Sequence, residues 1–428
     1  MPLVSLYPYK GTLFCRKITK FVRIFHNEHA MKRYIMLLMA LLTWGYGAHT
    51  TAVAQVAGAN QADPIVVADC RLADYLPLLD GKRVGLLTNH TAMVEGTHLV
   101  DTLLSRGVRI ELIFAPEHGF RGRAAAGELV RSGYDQHTGI EIVSLYGRNK
   151  SPKANDVFRC DVVVVDLQDV GVRYYTYLST LYLMMQRCAE VGVPMVVLDR
   201  PNPNGMYVDG PIIEQEHRSF VGMVPVPVVH GMTLGELARM INGEGWLEGG
   251  IKCPLTVVPC LGYRRSMRYE PPVAPSPNLP NIKSIYLYPS LCYFEATEVS
   301  IGRGTDRPFQ VVGHPRMREL NTTFTPASCE AAKHPTQEGK LCKGAYLGDR
   351  SADRILAEGI NLRYLVDAYN QLGAREDFLS PYFEKLIGVG YVREMLRSGY
   401  SAAEIEAVWR EDVELFKQQR QKYLIYEE

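Results

Sequence analysis

Four consecutive valines, Val162 to Val165, run straight into Asp166-Leu-Gln-Asp-Val-Gly-Val-Arg-Tyr-Tyr-Thr-Tyr177, and no other stretch restricts the fold so much. A short apolar run without polar alternation is the pattern of a strand buried on both faces of a parallel sheet. Asp166, Gln168, Asp169, Arg173, Tyr174 and Tyr175 then follow the strand's carboxyl end. Open α/β sheets bind their ligands there, so these residues are candidates for a site.

Similar runs precede and follow it. Lys82 to Thr88 reads as a first strand leading to Asn89, and His98 to Ser105 as a helix. Arg109 to Phe114 is a second strand that exits into Ala-Pro-Glu117-His118-Gly-Phe-Arg121-Gly. Ile140 to Leu145 is a third, Val162 to Asp166 the fourth, and Met195 to Asp199 the fifth, which runs into Arg200-Pro-Asn202-Pro-Asn204. Helical segments such as Leu178 to Val191 separate them. Alternation of this kind predicts an α/β fold, a Rossmann-like doubly wound parallel sheet. It does not predict a dinucleotide: no GxGxxG follows the first strand, and Gly119-Phe-Arg-Gly122 is too short and follows the second. Walker A and GxSxG patterns are missing as well, so no cofactor is expected.

After the fifth strand the pattern changes. His230-Gly-Met-Thr233 leads into a helix LGELARMING capped by Thr233, and Ile251 to Pro259 reads as a strand. The proline-dense Pro271 to Pro280 then marks the start of a second, smaller α+β carboxy-terminal domain over 271–428, the first spanning 63–270. That domain opens with a second polar cluster holding Glu295, Glu298, Arg303 and Thr305. Gly302 and Gly304 flank Arg303 and relax the backbone, as in loops that wrap a ligand. From Ser401 to about Tyr423 a single long amphipathic helix is expected, with Val408, Trp409, Val413 and Phe416 on its packed face.

The amino terminus reads as an export signal. Lys32 and Arg33 precede an apolar stretch that ends in Ala52-Val53-Ala54, so residues 31–54 are expected to be a signal peptide cleaved after Ala54, with 1–30 a non-native extension upstream of the true start at Met31. An exported, periplasmic protein, not membrane-bound after cleavage, is the expectation. Lys plus Arg number 47 against 46 for Asp plus Glu, which argues against nucleic acid as a partner. Eight cysteines follow the signal without CxxC spacing, so no metal site is expected from them; Cys329 and Cys342 are the pair nearest to a disulfide.

Four motifs together carry a resemblance. Glu117-His-Gly-Phe-Arg-Gly, Asp166 through Tyr177, Asp199-Arg-Pro-Asn-Pro and Gly302-Arg-Gly-Thr are similar to NamZ-type exo-β-N-acetylmuramidases over about residues 65–427. Where this chain has Glu298, a small polar residue, often Asn, is expected in that family. The resemblance implies a glycoside hydrolase that releases N-acetylmuramic acid from the non-reducing end of peptidoglycan fragments, with its active site in a cleft between the two domains. Peptidoglycan-derived oligosaccharides and muropeptides are the partners it implies; nothing bears on oligomeric state.

Glycoside hydrolysis usually needs two carboxyl groups, one to protonate the leaving oxygen and one ionised. Glu117 and Glu295, from opposite motifs, are the expected catalytic pair, with Glu117 as acid/base; Asp166, Asp169 and Glu298 are rivals. Asn89, His118, Arg121, Asp166, Gln168, Asp169, Arg173, Tyr174, Tyr175, Asn202, His230, Glu298, Arg303 and Thr305 are expected to bind substrate. Plainer roles compete with several of these. Asp166 could cap a helix, Asp169 could pair with Arg173, and His118 and His230 could be core histidines. A lactyl carboxylate requires a cation, for which Arg121 and Arg303 are the candidates. Two other functions fit the sequence: a non-catalytic peptidoglycan-binding protein, and a metal-assisted hydrolase using His118, Asp166 and His230.

Overall fold

Side-chain alternation within the valine run shows why it is apolar throughout. Val163 and Val165 face one hydrophobic cluster while Val162 and Val164 face another, so the strand is covered on both sides. The computed structural model describes residues 64–121, 132–147 and 149–428; the signal read at 31–54, the extension 1–30 and Gly122 lie outside the described residues.

The strands are β1 (Arg83–Thr88), β2 (Met93–Val94), β3 (Thr97–His98), β4 (Arg109–Ala115), β5 (Gly133–Tyr134), β6 (Glu141–Ser144), β7 (Val162–Asp166), β8 (Met195–Leu198), β9 (Leu255–Val258), β10 (Val311–His314), β11 (Thr322–Phe324) and β12 (Cys342–Tyr346). Seven of them form one sheet in the order β5-β6-β4-β1-β7-β8-β9, parallel throughout except for the antiparallel edge strand β5. The six parallel strands follow the doubly wound order, with its reversal between β1 and β7. The stretch 251–259 narrows to β9 and extends the parallel sheet beyond β8. β5 had no apolar run to announce it, being two exposed residues.

Helices α1 (Leu72–Leu79) and α2 (Leu99–Ser105) place Tyr75, Leu79, Leu99 and Leu103 on one face of the sheet. α3 (Ala154–Phe158), α4 (Tyr177–Val191) and α5 (Leu234–Gly243) cover the other. The α5 start is a capping box: Thr233 Oγ1 accepts from the Glu236 amide, and the Glu236 carboxylate accepts from the Thr233 amide.

The carboxy-terminal part comprises α6 (Ile282–Leu291), the three-stranded antiparallel sheet β10-β12-β11, and helices α7 (Ala352–Glu358), α8 (Arg363–Gln371), α9 (Tyr382–Ile387), α10 (Tyr391–Arg397), α11 (Ala402–Val408) and α12 (Arg410–Arg420). Its Phe294, Leu386 and Phe416 belong to the same buried cluster as α4 and α5, so apolar packing is continuous from the large sheet to the last helix. The tail is not one helix. It breaks at Trp409, which is buried and donates its indole N–H to Asp209 at 2.9 Å, and the break leaves Val408 exposed instead of packed. None of the described helices is long and apolar enough to cross a membrane. All eight described cysteines are free thiols; Cys329 is exposed and Cys342 buried, and the pair nearest to a disulfide in the sequence forms none.

Candidate active site

The crevice at the strand-order reversal is filled by the protein's own charges. Asp166 at the end of β7 receives the Arg200 guanidinium through Nε at 2.5 Å and Nη2 at 3.0 Å, and Arg200 Nη2 also bonds Asp69. All three side chains are buried. Burial and the neighbouring Asp166 carboxylate push Asp69 up to about 7 despite the guanidinium. Asn89, at the end of β1, is fully buried and bonds Tyr177 Oη, Thr91 and His98. Gln168 ties Asp169 and Pro201 carbonyls together, and Asn202 braces Met232 and Asn204. These loop residues hold the sheet's edge closed.

The open space lies to one side of that edge. A cavity of about 690 Å³ is lined by Glu117 and His118 from the β4 exit, Tyr174, Tyr175 and Thr176 from the turn into α4, and Glu295 and Arg303 from the carboxy-terminal part. A volume of this size is within the range of small-molecule sites. The turn after β4 is tight: the Gly119 amide bonds the Pro116 carbonyl, and His118 takes a left-handed φ of 70°, uncommon for a non-glycine residue. That turn aims Glu117 at α4, where Thr176 Oγ1 donates to its carboxylate at 2.6 Å. Glu117 is 9% exposed.

Glu295 sits on the short 3-10 turn Cys292–Ala296, opposite Arg303, whose Nη2 donates to it at 2.5 Å. The Arg303 guanidinium also lies 5.0 Å from the Phe309 ring centre. Gly302, at φ 80° and with no room for a Cβ beside the Arg307 backbone, lets this loop fold tightly enough to place the arginine there. Two phenols register both carboxylates. Tyr146 and Tyr382 line the same cavity, and each has its hydroxyl raised first by burial and further by the negative charge of Glu117 and Glu295.

Several expected ligand contacts turn out otherwise. Arg121 is partly exposed and forks onto Asp135 at 2.8 and 3.0 Å while lying over Phe120, outside the cavity. Arg173 does not pair with Asp169. It is completely buried and donates to the carbonyls of Pro211, Val226, Leu386 and Ile387. Asp169 accepts from the Gly171 amide at 2.6 Å, and burial pushes its carboxyl up to about 7. His230 is buried, with Nδ1 accepting from the Met232 amide, and burial drives its imidazole down to about 3. Glu298 is taken by Arg316 at 2.7 Å and Arg375 at 2.9 Å, and Thr305 closes its own turn on the Gly302 carbonyl. None of these six residues lines the cavity, nor do Asn89, Asp166, Gln168 and Asn202.

The donor set His118, Asp166 and His230 does not converge. Among the described residues the one group with ligand atoms drawn together is Glu214, Glu216 and His217, elsewhere on the surface. Tyr174 and Tyr175 line the cavity but are almost fully buried, with their hydroxyls donating to the carbonyls of Pro289 and Pro275. Sequence reasoning missed Tyr146, Lys150, Phe220, Tyr382 and Lys385, which stand in no motif; they reach the cavity from separate loops and from α9.

Comparison with known proteins agrees with this architecture. The amino-terminal domain family of exo-β-N-acetylmuramidase NamZ matches residues 84–283, and the corresponding carboxy-terminal domain family matches 286–426. The peptidoglycan β-N-acetylmuramidase NamZ of Bacillus subtilis (strain 168) is 38% identical over 379 residues, 84% of this chain and 90% of that protein. Two crystal structures of DUF1343 family proteins from Bacteroides fragilis NCTC 9343 each cover 85% of this chain and 99% of their own. The first is 48% identical with a TM-score of 0.80, the second 27% identical with a TM-score of 0.73.

Proposed function

The chain belongs to the exo-β-N-acetylmuramidase NamZ family, and from that premise we propose that it is an exo-acting glycoside hydrolase that removes N-acetylmuramic acid from the non-reducing end of peptidoglycan fragments. Glu117 and Glu295 are the carboxylate pair in this reading. The observation that carries it is that both line one cavity, although 177 residues lie between them in the sequence. A pair of carboxyl groups lining one sugar-sized space is what glycosidic bond cleavage usually uses.

The environments separate their roles. Glu295 stands in an ion pair with Arg303, so it is the partner that brings negative charge to the developing oxocarbenium ion or to an attacking water. Glu117, the more buried of the two and oriented by the Thr176 hydroxyl, is assigned the part of the acid that protonates the departing oxygen. Tyr146 and Tyr382, more exposed rings of the cavity wall, supply surface for the apolar face of the sugar.

Glu117→Gln should lower kcat on a chromogenic N-acetylmuramic acid glycoside by about 10²- to 10⁴-fold while the melting curve is preserved. Turnover within fivefold of the parent would remove Glu117 from the mechanism, and binding of the sugar with no turnover by the parent would make this a binding protein. The substrate lies outside the cytoplasm, and the Met31 to Ala54 stretch supports export there. Amino-terminal sequencing of the exported protein should begin at Gln55; a chain retained whole in the cytosol would refute export.

A further inference from the structure

The two sugars that alternate in peptidoglycan both carry an N-acetyl group, and the lactyl ether with its carboxylate marks muramic acid alone. An enzyme selective for muramic acid gains most from a site that presents cations to that charge, because a sugar without the lactyl group forgoes the pairing. The expected partners, Arg121 and Arg303, are both committed: the first to Asp135 outside the cavity, the second to Glu295 inside it.

The cavity nevertheless has more positive than negative charge. Its lining holds Lys150, Arg303, Lys333 and Lys385 against two carboxylates, Glu117 and Glu295. Once Glu295 and Arg303 neutralise each other, the excess rests on ammonium groups. Lys150 lies 4.5 Å from the centre of the Phe220 ring, itself part of the cavity wall, and has no carboxylate partner among the described residues. Lys385 is three residues along α9 from Tyr382, which puts both side chains on one helix face and both in the cavity lining. No described carboxylate pairs with Lys385 either; the adjacent Glu384 is taken by Arg393 at 2.5 Å.

We propose that Lys150 and Lys385 are the specificity-determining residues of this site, receiving the lactyl carboxylate of the terminal muramic acid. The assignment rests on the glycosidase reading above for the identity of the sugar. Phe220 holds the Lys150 ammonium at the wall through its ring face, and helix α9 holds Lys385 beside Tyr382, so the two cations are presented without an internal acid to compete for them.

The test compares kcat/KM for a chromogenic N-acetylmuramic acid glycoside with that for its lactyl carboxamide, which keeps the shape and removes the charge. The parent should prefer the acid. Lys150→Met and Lys385→Met should each reduce the acid-to-carboxamide ratio by about tenfold, chiefly through KM for the acid, and the double variant by up to about a hundredfold. Lys→Arg at either position should restore most of the ratio. A ratio that does not move in the double variant overturns the proposal. If the parent hydrolyses neither glycoside, the glycosidase reading falls, and calorimetry then decides the lysines separately. Free N-acetylmuramic acid binding more tightly than N-acetylglucosamine, with the difference lost in the Met variants, supports the lysines; equal binding of the two sugars overturns them.

Discussion

Replacing Arg173 by Met should unfold the protein at lower temperature and leave its chemistry intact. The guanidinium is wholly buried and donates four hydrogen bonds, at 2.7, 2.9, 2.9 and 2.7 Å, to carbonyls on residues 211 and 226 on one side and 386 and 387 on the other. If each stranded carbonyl costs about 2 kcal/mol, the gross loss is roughly 8 kcal/mol. Against this stands the cost of burying a charge that has no carboxylate beside it. Burial lowers the guanidinium to about 10 from its ordinary value of 12.5, and Met recovers roughly 3 kcal/mol of that. The net destabilisation is about 4 to 5 kcal/mol. Since the group is charged in both folded and unfolded chains below pH 10, the difference should be flat across neutral pH. For a unit of about 365 residues with an unfolding entropy of about 2.1 cal/mol/K per residue, it corresponds to a melting point lower by about 5 to 6 °C. Differential scanning calorimetry measures the shift. Lys, with three donors and no planar fork, should fall between Arg and Met. An unchanged melting point, or a collapse of kcat at an unchanged melting point, would show that Arg173 belongs to the site and not to the frame.

Two further outcomes follow from the same geometry. His230 titrates near 3 in the folded chain because it is buried, against 6.5 when exposed, so the unfolded chain binds the proton first and stability is lost as pH falls below 6.5. By pH 5 the loss is about 2 kcal/mol, and urea titrations should show His230→Asn escaping it; equal acid sensitivity in the variant would refute this. Thr176→Val removes the 2.6 Å bond that orients Glu117 and should lower kcat about tenfold with little change in melting temperature; full activity would mean that Glu117 is oriented without it.

Legibility divides along physical lines. The Val162–Val165 run, the Arg109–Phe114 run and the capped LGELARMING helix were readable because a buried strand and an amphipathic helix each impose a short-range pattern on apolar residues. The polar residues at the strand ends were readable as a group, but not by role. Asp166 and Arg173 carry the same charges in a salt network or carbonyl brace as they would on a sugar, and only their neighbours distinguish the cases.

The sequence by itself determined the doubly wound sheet, its lack of a dinucleotide loop and the two acidic motifs, since local periodicity and missing glycines require no knowledge of distant contacts. The tertiary structure decided which polar groups face open space. Glu117 and Glu295 share a cavity because the turn after β4 and the turn after α6 both border it, and Tyr146, Lys150, Phe220, Tyr382 and Lys385 join them from stretches with no motif at all. Such convergence depends on packing between residues far apart in the chain, and packing leaves no periodic trace in the order of amino acids.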